Sequence, residues 1–164
     1  METDMRILGI DPGLQVCGYA AIEINGGNEK LLEAGVFRTD RNEPIEQRLN
    51  SISADIELLL EKFQPNVVAV EQLYSHYAHP KTAILMGHAR GVILQKCAAV
   101  DLEVKSFSPT RIKKSVTGNG HASKGQVQRT IQSILALSDL PEPNDVADAI
   151  AVAMCCGNEM SVQK

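Results

Sequence analysis

The chain has 164 residues and a mass of 17.8 kDa, with 44% hydrophobic and 22% charged residues, which excludes disordered and fibrous classes. This length predicts one domain over residues 1–164, with a core large enough to do without disulfides. No apolar run approaches the roughly 18 residues of a membrane span, the start METDMRILGID lacks the pattern of a secretory signal, and the four cysteines form no C-x-x-C pair, so a cytoplasmic protein with no membrane attachment is expected.

Arg6 to Asp11 is a short apolar run ending in an acid before Pro12-Gly13, the pattern of a buried strand and a turn. Val16 to Ile24 and Leu31 to Arg38 are β-rich runs around Asn25-Gly26-Gly27-Asn28, which predicts an antiparallel meander. Ile45, Leu49, Ile52, Ile56, Leu59 and Phe63 recur at helical steps, and that helix stops near Pro65. Asn66 to Glu71 is a second buried strand ending in an acid. Pro80 to Ala99 is a helix carrying a small-residue stripe, Ala83, Gly87 and Gly91, whose glycines signal close approach of another backbone. Asp101 to Ser106 is a strand, and Ser108 caps a helix with Pro109 in its first position. The loop from Gly118 to Ser123 leads to a helix from Lys124 to Leu137, and Asn144 caps a final apolar helix to Gly157. A meander followed by strands alternating with helices predicts an α/β fold with a mixed sheet covered by helices.

The net charge of −4 conceals an asymmetry. Between Gln72 and Ser138 nine basic residues face only Asp101 and Glu103, a net +7, which leaves the rest of the chain at −11. A basic block inside an acidic protein suits phosphate binding.

Four acids stand where a solvated surface explains them poorly. Asp11 and Glu71 end buried strands, while Asp145 and Asp148 lie three apart, on one face, at the start of a helix whose other residues are apolar. The helix N-terminus favours those two aspartates by up to about 1 kcal/mol each, which offsets burial only partly. Converged carboxylates attract Mg²⁺ or Mn²⁺. With a basic block beside them they describe metal-assisted cleavage of a phosphodiester.

The set Gly9-Ile10-Asp11-Pro12-Gly13 with Gly18, Val70-Glu71-Gln72, Gly87-His88-Ala89-Arg90-Gly91, Pro109 to Val127, and Asn144 to Ala149 resembles the RuvC family of Holliday-junction resolvases, within the ribonuclease H-like superfamily. The resemblance implies a five-stranded mixed sheet with helices on both faces, and a homodimer acting on four-way junction DNA with a branch-migration helicase complex. It also implies that Asp11, Glu71, Asp145 and Asp148 form an acidic tetrad for Mg²⁺, or Mn²⁺, at two ions per site. Lys113 and Lys124 match basic residues near the scissile phosphate, with Lys124 assisting catalysis, while Lys114 and Arg111 grip the backbone. Tyr74 falls where many members carry a phenylalanine that stacks at the junction centre, and the small-residue helix helps form the dimer. Two other readings stay open at this point: a related nuclease acting on RNA or other nucleic acid, and a junction-binding protein without catalysis.

Overall fold

The computed structural model describes residues 4–73 and 79–162. Five strands, β1 (Met5–Asp11), β2 (Val16–Asn25), β3 (Asn28–Arg38), β4 (Val67–Glu71) and β5 (Glu103–Phe107), form one sheet in the order β3-β2-β1-β4-β5. β1, β2 and β3 pair antiparallel, and β4 and β5 join parallel to β1, which gives the expected mixed sheet. The five helices are α1 (Ile45–Phe63), α2 (Pro80–Ala99), α3 (Pro109–Thr117), α4 (Lys124–Ile134) and α5 (Asn144–Val162).

Alternation along the strands splits the core between the two sheet faces. Leu8, Ile10, Val68 and Val70 pack against α1 and α2, together with Ile52, Ile56 and Ile93. Ile7, Ala20, Ile22, Val67 and Ala69 pack against the other three helices, with α5 contributing an almost wholly apolar surface. All four cysteines are buried and free, as small hydrophobes. No helix among the described residues is long and apolar enough to cross a membrane.

The structure moves several element ends, each for a local reason. β3 begins at Asn28 rather than Leu31, because Gly26 and Gly27 take positive φ (56° and 83°) in a tight turn that pairs Asn25 directly with Asn28. β5 begins at Glu103 after Asp101 turns the chain at φ 54°. α4 stops at Ile134, since Ala136 is left-handed (φ 50°) and the Leu137 N–H donates back to the Gln132 carbonyl. Asn144 is the first helical residue of α5 rather than its cap, and its side-chain oxygen accepts from Gln128 Nε2 at 3.2 Å. α5 runs through Gly157 to Val162, because that glycine packs rather than terminates: a Cβ there would collide with Ile24 Cδ1.

Candidate nuclease site

Asp11 and Glu71 are the last residues of β1 and β4, which lie side by side with Ile10 opposite Val70. Both carboxylates therefore stand at the C-terminal edge of parallel strands. Both also share the strand parity of the residues facing α5: Ile7 precedes Asp11, and Val67 and Ala69 precede Glu71.

α5 reaches them because two strand residues lack side chains. A Cβ on Gly18, the β2 residue paired with Asp11, would run into the carbonyl oxygen of Asp145. A Cβ on Gly9 would run into the carbonyl oxygen of Ala149 and sit 2.7 Å from the Ala153 Cβ. These glycines seat the first turns of α5 directly on the sheet, which delivers Asp145 and Asp148 to the edge where Asp11 and Glu71 emerge. Sequence reasoning quoted both glycines as part of a motif but missed this role. The signal was there in the alternation of glycine along two strands with an alanine-rich helix to receive them.

The electrostatics show the four acids acting on one another. Asp11 is pushed from 3.8 up to about 8, first by burial and then by the charges of Asp148, Glu71 and Asp145. Glu71 is also raised, by burial and Asp148, and a hydrogen bond with Asp11 and the charges of Lys113 and Lys124 pull the other way. Asp148 is raised by burial, with Lys124 the main opposing influence. Among the described residues no three His, Cys, Asp or Glu side chains are gathered closely enough to hold a metal ion as they stand, and Asp11, Glu71 and Asp148 line an open mouth. Their chemistry still fits a divalent cation. The donors are all oxygen, they are half-buried, and the positive charge near them falls short of neutralising them.

A cavity of about 280 Å³ adjoins this mouth, lined by Glu71 and Asp148 together with Lys113 and Lys124. Lys113 comes from α3, whose N-terminus is capped by Ser108 accepting from the Arg111 N–H at 3.3 Å. Lys124 opens α4, where Ser123 and Gln126 form a reciprocal capping box. Lys114 is exposed on α3. Arg111 stands apart: its guanidinium lies over the Phe107 ring and bonds Glu159 at 2.7 Å, and Lys105 bonds the same carboxylate at 3.3 Å. Glu159 escaped sequence reasoning because the helix was ended at Gly157, five residues before its true end at Val162. Lys96 is likewise paired, with Glu57 at 2.9 Å, so part of the basic block serves the fold. Tyr74 lies outside the described residues.

The model of the family described as crossover junction endodeoxyribonuclease RuvC matches residues 7–156. The chain belongs to the RuvC family. It is 46% identical over 149 residues to a crossover junction endodeoxyribonuclease RuvC of Rhodopirellula baltica, covering 91% of this chain and 84% of that one. The RuvC of Heliobacterium modesticaldum is 42% identical and each chain is covered to 96%. Among solved structures, Thermus thermophilus RuvC in complex with a Holliday junction substrate superposes with a TM-score of 0.91 at 30% identity, over 97% of this chain and 96% of that one. The five-stranded mixed sheet with helices on both faces and this structural likeness bear out the expected ribonuclease H-like fold, and the chain is an endonuclease of the RuvC family.

Proposed function

We propose that this chain resolves four-way DNA junctions as a homodimer, hydrolysing one phosphodiester on each of two symmetric strands and leaving 5′-phosphate and 3′-hydroxyl ends. The observation that carries this reading is the convergence of Glu71, Asp145 and Asp148 on Asp11, beside Lys113 and Lys124, in a chain of this family. Asp11, Glu71, Asp145 and Asp148 would hold Mg²⁺, or Mn²⁺ in its place, at two ions per site, and cations bound there supply Lewis acidity and an ionised water.

The chain's own residues do the rest. Asp11 and Glu71 end neighbouring strands and so present a rigid pair of carboxylates to the substrate face. Lys124 faces the same cavity as Glu71 and Asp148. It meets the negative charge that builds on the phosphate as the bond breaks, which makes its contribution largest in the transition state. Lys113 and Lys114 hold backbone phosphates and give affinity and salt dependence rather than sequence choice. Tyr74 stacks at the junction centre.

Dimerisation is supported by the outer face of α2. Its buried side uses Ala89, Ile93 and Cys97, whereas a Cβ on Gly91 would meet nothing within 4 Å and Ile84 is 63% exposed. A two-fold pair of sites cuts two strands symmetrically, and a branch-migration helicase complex supplies the junction. The test is side-by-side cleavage of a mobile four-way junction, a linear duplex and an RNA–DNA hybrid. Paired, cation-dependent nicks confined to the junction support the reading, and cleavage of the hybrid or of linear DNA moves the activity to another nuclease class.

A further inference from the structure

Arg90 of α2 lines a cavity with Asp11 and Glu71 and has no part in the chemistry proposed above. Its Nη2 donates to Ser106 Oγ at 2.8 Å on β5, while its Nε is buried and, among the described residues, has no partner. A guanidinium offers five N–H donors in a fixed fork, and a buried one left unmatched is costly. Arg90 also makes no ion pair among the described residues, although it shares a cavity of about 150 Å³ with Asp11 and Glu71. Those carboxylates interact with each other and with Asp148 instead.

Leu73, Met86 and Pro109 make the apolar walls of this cavity. Glu71 and Pro109 line both this cavity and the larger one of Lys113 and Lys124, so the two spaces adjoin at the carboxylates. A nucleic-acid strand laid across the mouth brings successive phosphates to the two spaces in turn. The one cationic group lining the smaller space has the planar fork that suits a phosphate.

We propose that Arg90 is a positioning residue that binds the backbone phosphate adjoining the scissile one, and so sets the register of the strand over Asp11 and Glu71. Ser106 holds the fork in place through Nη2, and the part of the guanidinium that lines the cavity meets the phosphate. The inference rests on the junction-cleaving function proposed above.

The test measures binding of a four-way junction in chelator across a salt series, and single-turnover cutting with Mg²⁺, for wild type, Arg90→Gln and Arg90→Lys. Junctions carrying one neutral methylphosphonate at successive linkages around the cleavage site are compared with the unmodified junction. Each lost phosphate contact lowers the slope of log affinity against log salt by about 0.9, so Arg90→Gln, which removes one contact in each protomer of the dimer, should lower it by about 1.8, and Arg90→Lys should retain most of the slope. Cutting by Arg90→Gln should slow about 10- to 100-fold through misplacement, with partial rescue by Arg90→Lys. One methylphosphonate next to the scissile linkage should weaken wild type and cost Arg90→Gln nothing further. An unchanged slope, or methylphosphonate losses that simply add to the Arg90→Gln loss at every position, overturns the assignment while junction cutting by wild type stands. If Arg90→Gln fails to fold, the wild-type scan decides, because no cost at any adjoining linkage also overturns it. Failure of wild type to bind and cut the junction at all removes the functional reading, and this inference with it.

Discussion

Asp11 is the residue at which burial and charge oppose each other most strongly. The folded protein holds its proton up to about pH 8, whereas the unfolded carboxyl releases it near 3.8. The folded state therefore binds more protons between those values, and cation-free stability falls as pH rises through that window. Glu71 and Asp148 are raised in the same direction and add to the trend. Asp11→Asn should accordingly stabilise the protein in chelator at pH 8 by about 1–3 kcal/mol, a Tm increase of roughly 3–10 °C, with a much smaller gain at pH 5. Thermal melts at the two pH values check this, and an Asp11→Asn protein no more stable at pH 8 than wild type would remove the strained carboxylate from the account. Lys124 belongs to the same scale. Lys124→Ala should lower the cutting rate about 100- to 1,000-fold while junction affinity changes less than tenfold. Equal losses in rate and affinity would make it a grip residue.

At the scale of elements, the decisive feature is the seating of α5 on β1 and β2. Gly18→Ala would drive a methyl group into the Asp145 carbonyl, and backbone cannot yield as a side-chain tip can. We expect a loss of about 3 kcal/mol or more, read by denaturant unfolding, with cutting lost in any protein that still folds. The strands and helices themselves were largely legible, because Ile45 to Phe63 repeats at helical steps and Arg6 to Asp11 stops at a turn. The four acids were legible too, since each is a carboxylate out of place in an apolar element. The seat was not, because periodicity in one element says nothing of how closely another approaches it. Gly157 misled for the same reason, as its cause is Ile24 on a different element. With it went Glu159, and so the engagement of Arg111 and Lys105, which sequence charge alone presents as free cations.

Taken as a whole molecule, the chain sets Lys113 and Lys124 beside its acids and leaves one face of α2 uncovered. A Cβ on Gly91 meets nothing within 4 Å, so Gly91→Glu puts a charge on that exposed face and the fold should be unchanged. Sedimentation should then show a shift from dimer to monomer, and cutting should change from paired nicks to single ones. A Gly91→Glu protein that remains dimeric and nicks in pairs would place the interface elsewhere. The central claim is that the four acids make a cation-dependent, junction-specific nuclease, and one comparison tests it most directly. An end-labelled mobile four-way junction is incubated beside a linear duplex and an RNA–DNA hybrid, with Mg²⁺ or chelator, using wild type and Asp11→Asn. Symmetric paired nicks in the junction alone, absent in chelator and absent with Asp11→Asn although that variant still binds, are the predicted result. Cutting that persists in chelator or with Asp11→Asn would contradict it.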